Sequence, residues 1–259
     1  MHKVAIITGA ARGIGFATTE KFLDEHWQVV MLDIDGVAQD QAHRELSDPS
    51  NAVSIHCDVS KPDQVAAAVD KAVSRFGRID ALVNNAGCAI FKPVMDTGFD
   101  EWSEVMAVNL SGPFICTQAC VPIMLANNGG SIVNITSISG VKASTLRVAY
   151  GTSKAALMHL TKQLAVELGV QGIRVNAVSP GPVDTAMAKK VHTPDIRADY
   201  HDNIPLNRYG SEQELAEVIF FLCSDKASYI NGAIINVDGG FAATGIGLSS
   251  LRRNLPIGP

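Results

Sequence analysis

The residues best suited to chemistry in this chain are a tyrosine and a lysine four positions apart, Tyr150 and Lys154. On a helix, side chains four residues apart lie on the same face, so both would point at the same neighbour. A phenol is protonated at neutral pH, and a cation beside it favours the phenolate and lowers its pKa. The spacing predicts a proton-transferring tyrosine activated by Lys154, provided that the surrounding motifs agree.

A glycine-rich turn follows the first predicted strand, with Gly9, Gly13 and Gly15 in the spacing Gly-x3-Gly-x-Gly. A strand, a glycine turn and a helix N-terminus together form an anion site from backbone N–H groups and the helix dipole. A Cβ at these positions would block the approach of a diphosphate. The spacing differs from the Gly-x-Gly-x-x-Gly fingerprint, and a simple turn is the alternative, but the flanking elements favour a dinucleotide site.

Asp33 ends the second predicted strand, at about the 20-residue distance from the glycines that ribose-binding carboxylates keep. Such a carboxylate accepts hydrogen bonds from the adenosine ribose and would repel the 2′-phosphate of NADP. Arg12, inside the glycine turn, indicates the opposite, because it could pair with that phosphate. We expect NAD as the cofactor, with NADP as the alternative. A helix-cap or turn role for Asp33 is compatible with the same position.

Short runs rich in Val and Ile alternate along the chain with longer amphipathic stretches. The predicted strands are Val4–Thr8, 29–33, 53–57, 82–84, 132–136, 174–179 and Ile234–Val237, and the predicted helices are 14–25, 37–46, Pro62–Phe76, 100–125, 150–167 and Glu212–Cys223. This pattern predicts an α/β fold: a single Rossmann-type domain over 1–259, with a doubly wound parallel sheet of about seven strands and helices on both faces. The segment 182–206 breaks the rhythm, and its length and prolines predict an irregular loop that forms a substrate-binding lid.

The composition excludes several classes of function. The chain is 47% hydrophobic and 18% charged, as globular proteins are, and its net charge of −5 gives no reason to expect nucleic acid or an acidic membrane as a partner. No run reaches the roughly 20 apolar residues of a transmembrane helix, and the N-terminus does not resemble a secretory signal. Five cysteines without a Cys-x-x-Cys pair, and a His192–His201 spacing that suits no helical ligand pair, predict no disulfide framework and no metal site. We expect a cytoplasmic protein.

These motifs together resemble the short-chain dehydrogenase/reductases in their shorter, single-domain form. In chain order they are Thr8-Gly9-x3-Gly13-x-Gly15, Asp58-Val59, Asn84-Asn85-Ala86-Gly87, Asn109, Ser137, Tyr150-x3-Lys154 and Pro180-Gly181. The resemblance extends from Val4 to about Gly240. It implies an NAD(P)-dependent oxidoreductase that acts on CH–OH groups.

The resemblance implies a catalytic set of Asn109, Ser137, Tyr150 and Lys154. Tyr150 would be the general acid and base, and Lys154 would lower its pKa and bind the nicotinamide ribose. Ser137 would hydrogen-bond the substrate oxygen as it gains charge, with Thr136 and Ser139 as near competitors. Asn109 would hold a water that links Lys154 to solvent, unless its amide only makes a structural bond to neighbouring backbone.

Cofactor contacts are implied at the carboxyl ends of the strands, where open α/β sheets bind ligands. The expected residues are Gly9, Arg12, Gly13, Ile14, Gly15, Asp33, Asp58, Val59, Asn85, Ala86, Gly87, Tyr150, Lys154, Pro180, Gly181, Val183 and Thr185. Asp58 would approach the adenine amino group, and Val183 and Thr185 would contact the nicotinamide. Asn84 is expected to be mainly structural.

The expected substrate residues are Ser137, Ser139, Arg147 and Tyr150, beside the lid. The polar lid favours a small hydroxylated substrate such as a sugar or polyol. The alternatives are a 3-oxoacyl-carrier-protein reductase-like enzyme, which would prefer NADP and bind an acidic carrier, and a non-catalytic dinucleotide-binding regulator. Members of the resembled family are usually dimers or tetramers, so we predict a homotetramer in which the tail 241–259 packs on a neighbouring subunit.

Overall fold

A computed structural model describes residues 2–245 of the protein, apart from the side chains of Ala186, Met187 and Lys190. These residues form a parallel sheet of seven strands in the order β3-β2-β1-β4-β5-β6-β7. The strands are β1 Val4–Thr8, β2 Gln28–Asp33, β3 Ala52–His56, β4 Ala81–Asn84, β5 Gly130–Ile135, β6 Ile173–Pro180 and β7 Ile234–Val237. The predicted parallel sheet is confirmed, with every strand close to its expected bounds.

Helices cover both faces of the sheet, as the β-α-β pattern predicts. They are α1 Gly13–Asp24, α2 Gly36–Glu45, α3 Pro62–Phe76, α4 Phe99–Met106, α5 Gly112–Ala126, α6 Ile138–Val141, α7 Val148–Gly169, α8 Ala186–Val191, α9 Pro194–Asn203 and α10 Glu212–Cys223. Alternate residues of β1 bury on opposite faces: Ile7 packs with Phe22 and Ile219 on one side, and Ile6 packs with Val65 and Met124 on the other. Packing on both faces holds the sheet rigidly, and the sheet in turn sets the positions of the residues at the carboxyl ends of its strands.

Two segments differ from the sequence predictions. The helix expected over 100–125 is divided by a π-helical segment, Ala107–Ser111, between α4 and α5. The lid segment 182–206 is not an irregular loop, because it contains α8 and α9. Pro194, one of the prolines in this segment, occupies the first turn of α9, where its missing N–H removes no hydrogen bond.

Within the described residues, the helical stretch Phe99–Ala126 is long and apolar enough to cross a membrane by length and composition. Its buried face nevertheless packs on the sheet, with Cys116, Cys120 and Met124 almost fully buried. Core helices of globular proteins pass the same test, so the stretch carries no argument for a membrane span.

Candidate active site

The glycine turn of residues 8–15 is packed so closely that side chains would not fit on its glycines. A Cβ on Gly9, whose φ is +64°, would lie 2.9 Å from the Cα of Ala86, and a Cβ on Gly15 would lie 2.1 Å from the carbonyl oxygen of Gly9. The side-chain amide of Asn85 donates to the carbonyl oxygens of Thr8 and Gly9 at 2.9 and 3.0 Å. The Thr8 hydroxyl accepts the N–H groups of Asn85 and Ala86, both at 2.9 Å. This preformed turn at a helix N-terminus fits the diphosphate of a dinucleotide.

A charged cluster lies beside the glycine turn, at the end of β2. Asp33 accepts the N–H of Ala11 at 3.0 Å through Oδ2 and the N–H of Asp35 at 3.0 Å through Oδ1. Arg12 forms an ion pair with Asp35, whose carboxylate also caps α2 by accepting the N–H of Ala38 at 3.1 Å. The helix cap and Arg12 hold the pKa of Asp35 below its usual range. Asp35 was not among the predicted site residues, although an aspartate before Gly36 at a helix start is a recognisable N-cap.

Asp58 and Val59 follow β3 at the same edge of the sheet. Oδ1 of Asp58 accepts the backbone N–H and the hydroxyl of Ser60 at 2.9 and 2.7 Å. Val59 is buried against Gly112, where a Cβ would lie 2.9 Å from Val59 Cγ2. The positions are those expected, and the contact of Asp58 with adenine stays a prediction.

The structure brings Ser137, Tyr150 and Lys154 together at the carboxyl end of β5. Tyr150 and Lys154 lie on α7, and Ser137 is the N-cap of α6 and hydrogen-bonds the side chain of Tyr150. The Lys154 Nζ lies 5.8 Å from the centroid of the Tyr150 ring and donates to the carbonyl oxygen of Ile135 at 2.8 Å. The predicted shared helix face is therefore present.

The electrostatics at Tyr150 differ from the sequence expectation. Burial raises the pKa of the Tyr150 phenol, while the hydrogen bond with Ser137 and the charge of Arg147 lower it. Arg147 is the cation that lowers this pKa in the structure, where the Lys154 ammonium faces the Ile135 carbonyl, and the lowering of the Tyr150 pKa by Lys154 stays a prediction. Burial also lowers the pKa of Lys154 itself to about 8.

Asn109 lies on the π-helical segment and is fully buried. Its Nδ2 donates to the carbonyl oxygen of Cys88 at 2.9 Å and to Ser153 Oγ at 3.0 Å, and its Oδ1 accepts the Cys88 N–H at 2.9 Å. A Cβ on Gly87 would lie 3.2 Å from Asn109 Oδ1 and 3.5 Å from Lys154 Nζ, so Gly87, Asn109 and Lys154 are neighbours. The Asn109 amide therefore makes the structural bond to neighbouring backbone that was one of its two expected roles. The other role, a water relay to Lys154, stays a prediction. Asn84 is likewise structural, since it donates to Asn134 across the sheet at 2.8 Å.

The residues expected at the nicotinamide follow β6. Gly181 packs so tightly that a Cβ would lie 2.6 Å from the Cα of Asp238. Val183 is buried and forms an isolated β-bridge with Gly210. The Thr185 hydroxyl caps α8 by accepting a backbone N–H at 3.1 Å, which leaves its proton free to donate to a ligand.

Arg147 lies beside Tyr150 at the start of α7. Its guanidinium carbon is 4.8 Å from the centroid of the Phe91 ring and 6.0 Å from that of Tyr150. Its Nη1 donates to Ser139 Oγ at 3.4 Å, and Ser139 shares a hydrogen bond with Ser144 at 3.0 Å. The four expected substrate residues, Ser137, Ser139, Arg147 and Tyr150, therefore lie together.

Two lid residues, His192 and Tyr200, form an aromatic cluster with Tyr209, and the sequence did not predict this cluster. The ring of His192 stacks on Tyr200 at 5.3 Å, Tyr200 meets Tyr209 edge-on at 5.9 Å, and His192 Nδ1 shares a 3.0 Å hydrogen bond with the Tyr209 hydroxyl. Burial, followed by the charges of Arg147 and Arg197, lowers the pKa of His192, so the ring is neutral at neutral pH. The part of the chain that the structure describes contains no group of His, Cys, Asp and Glu that could hold a metal ion.

The chain belongs to the short-chain dehydrogenase/reductase family. A family model described as enoyl-(acyl carrier protein) reductase matches residues 9–242. A 3-oxoacyl-[acyl-carrier-protein] reductase of Thermotoga maritima is 41% identical over 92% of this chain and 97% of its own length. A cis-4-hydroxycyclohexanecarboxylate dehydrogenase of Sinomonas cyclohexanicum is 39% identical over 93% and 97%. A crystal structure of a short-chain dehydrogenase/reductase from Mycobacterium marinum superposes with a TM-score of 0.88 and 34% identity over 93% and 96% of the two chains.

Membership confirms the predicted class of enzyme. The protein is an oxidoreductase that acts on CH–OH or carbonyl groups with a nicotinamide dinucleotide. The Rossmann-type α/β fold is confirmed by the same comparisons.

Proposed function

We propose that the protein interconverts the alcohol and ketone forms of a hydroxyacyl or oxoacyl compound. The observation that carries the proposal is the meeting of Ser137, Tyr150 and Lys154 at the edge of the sheet that also bears the glycine turn. This set supplies a proton carrier, a hydrogen-bond donor and a cation, which carbonyl reduction requires.

In the reduction, the Tyr150 phenol donates its proton to the carbonyl oxygen of the substrate. The Ser137 hydroxyl donates a hydrogen bond to the same oxygen, whose negative charge grows as the carbon is reduced. Lys154, with a pKa of about 8, is mostly protonated at neutral pH. Its charge stabilises the Tyr150 phenolate that remains after the proton is donated. In the oxidation, Tyr150 takes the alcohol proton. The bound nicotinamide supplies or accepts the hydride.

An oxoacyl compound is preferred to the sugar or polyol that the sequence analysis predicted. One relative is named for a 3-oxoacyl group and another for a hydroxylated carboxylate. Each of these compounds carries an oxo or hydroxyl carbon together with an acyl or carboxyl group. The sugar prediction depended on free polar groups in the lid. Asp184, however, is paired with Arg197 at 2.7 Å and with Lys189 at 3.4 Å.

NAD is the cofactor that we propose. The 2′-phosphate of NADP would approach the carboxylates of Asp33 and Asp35 at the end of β2. Arg12, the cation that could balance this phosphate, is already paired with Asp35. A 3-oxoacyl-carrier-protein reductase with a preference for NADP stays the alternative.

The test is an absorbance assay of NADH and NADPH oxidation, and of the reverse reaction, with the purified protein. The panel contains acetoacetyl-coenzyme A, short oxo acids with the matching hydroxy acids, aldoses and polyols. We expect turnover of oxoacyl compounds, faster with NADH than with NADPH. Turnover of sugars or polyols alone would contradict the substrate class. A protein that binds cofactor, seen by quenching of tryptophan fluorescence, but turns over nothing would instead support the regulator alternative.

A further inference from the structure

Arg147 differs from the other arginines near the substrate-binding lid. Arg197 and Arg208 each hold a carboxylate, Asp184 and Glu214 respectively, both at 2.7 Å. Within residues 2–245, by contrast, neither an Asp nor a Glu forms an ion pair with Arg147. A partly buried cation with no counter-ion loses hydration, which one long hydrogen bond and two ring contacts replace only in part.

Hydrogen bonds hold the backbone around Arg147, whereas its guanidinium is held mainly by a ring contact. The Arg147 carbonyl accepts the N–H of Gly151 at 2.7 Å, and the preceding Leu146, with a φ of +60°, accepts the N–H of Lys92 at 3.1 Å. Of the five guanidinium N–H donors, one makes the long bond to Ser139 and the others have no hydrogen-bond acceptor among the described residues. The Phe91 ring orients the group through a cation–π contact. The forked guanidinium of Arg147 is therefore oriented by Phe91, and most of its N–H donors are available to a ligand.

Among the described residues, the side chains in contact with Arg147 carry no negative charge. Tyr150 and His192 are neutral at neutral pH, and Lys154 adds a second cation. Burial and then the charge of Glu104 raise the pKa of Cys88, and within residues 2–245 Glu104 forms no ion pair with Arg147. The substrate region is therefore positive, although the chain as a whole carries −5.

We propose that Arg147 binds an anionic group of the substrate, and that the preferred substrates are free oxo and hydroxy acids. Their carboxylate would accept parallel hydrogen bonds from the guanidinium fork while their oxo group meets Tyr150 and Ser137. This inference rests on the proposed function and narrows it, because the substrate would bind as a free carboxylate and not as an ester or thioester.

The experiment compares each oxo acid with its own methyl ester, which removes the charge and keeps the reacting carbon. The probes are 3-oxobutanoate, 4-oxopentanoate and 5-oxohexanoate with their methyl esters, assayed with saturating NADH. The variants are Arg147→Met, Arg147→Lys and the control Arg75→Met, since Arg75 also stacks over a phenylalanine ring, at 5.4 Å from Phe76, but lies on α3. The kcat/KM ratio of acid to ester is the readout, because it cancels any general loss of activity.

For at least one chain length we expect wild-type kcat/KM to favour the acid by about 10- to 100-fold, as hydrogen bonds to charged groups allow. Arg147→Met should reduce the ratio to about 1, through KM more than kcat, and Arg147→Lys should retain part of it because it keeps the charge without the fork. Arg75→Met should keep the wild-type ratio. Ketone turnover with equal ratios in the wild type and in Arg147→Met would overturn the inference and leave the proposed function standing.

If no ketone is turned over, the proposed function fails and binding decides the inference separately. The melting temperature of the wild type and of Arg147→Met would be measured with NADH and the unreactive acid 2-methylpropanoate. Stabilisation of the wild type, lost in Arg147→Met and partly kept in Arg147→Lys, supports the anion site. Equal stabilisation of the wild type and Arg147→Met, or none in either, overturns it.

Discussion

The two sides of the site are held in different ways. On the cofactor side, formed by the glycine turn and the end of β2, Asn85, Thr8 and Asp33 hydrogen-bond the backbone, and Arg12 is paired with Asp35. On the substrate side, formed by Arg147, Phe91 and the lid, ring contacts predominate and Arg147 makes one long hydrogen bond. The difference indicates that the cofactor side is completed by the protein itself, whereas the substrate side needs an anion from its ligand.

The largest expected effect separates chemistry from cofactor binding. Tyr150→Phe should lower kcat by about 10²- to 10⁴-fold, the usual contribution of a general acid or base, and should change the cofactor dissociation constant little. Steady-state kinetics and fluorescence titration measure the two quantities. Tyr229→Phe, at a fully exposed tyrosine, is the matched control and should behave as the wild type. Activity that survives Tyr150→Phe would contradict the mechanism.

The next effect tests the rigidity of the cofactor side. Gly15→Ala places a Cβ against the carbonyl oxygen of Gly9, a backbone atom that cannot rotate away. We expect cofactor affinity to fall steeply and the free energy of unfolding to fall by about 1–3 kcal/mol, as overpacking costs. Gly245→Ala, where no atom of the described residues lies within 4 Å of the added Cβ, is the control in denaturant titrations. An unchanged cofactor affinity in Gly15→Ala would show that the turn is less closely packed than described.

A third test concerns the charge of Arg147 and the pH dependence. Its charge lowers the pKa of Tyr150, so Arg147→Met should raise that pKa. Oxidation of a neutral alcohol requires the phenolate and rises with pH through this pKa, so the midpoint of the kcat profile should move to higher pH. Arg147→Lys should keep the profile close to that of the wild type. A midpoint that stays fixed or moves to lower pH in Arg147→Met would refute the assigned electrostatics.

The smallest effects sharpen the cofactor side of the comparison. Asp33→Ala should narrow the proposed preference for NAD, measured as the ratio of kcat/KM with NAD and NADP, because it removes the carboxylate proposed to bind the ribose. Asp35→Asn keeps an N-cap on α2 but releases Arg12, and should shift the ratio further toward NADP by a few-fold, since exposed ion pairs contribute about 0–1 kcal/mol. Selectivity unchanged in both variants would sink the NAD assignment.

What could be predicted from the sequence was local. The strands and the glycine turn follow from short-range patterns, and the helical spacing of Tyr150 and Lys154 was sufficient to place both on α7. The direction of the Lys154 ammonium was not predictable, because it depends on the Ile135 carbonyl of another element. The link from Asn85 to the glycine turn also joins residues distant in the chain. The expected subunit contact of the tail stays a prediction, since residues 246–259 lie outside those described, and light scattering would test the tetramer.

The π-helical segment that carries Asn109 has a consequence for changes in chain length. A π turn holds one more residue than an α turn, and each residue of an α-helix corresponds to about 100° of rotation. Deleting one residue within Ala107–Ser111 would let α4 and α5 merge into an uninterrupted helix and swing α4 by that angle. Val105, now fully buried, would turn out of the core, and Asn109 would lose its hydrogen bond to the Cys88 carbonyl. Natural variation in this stretch should therefore exchange residues without shortening it.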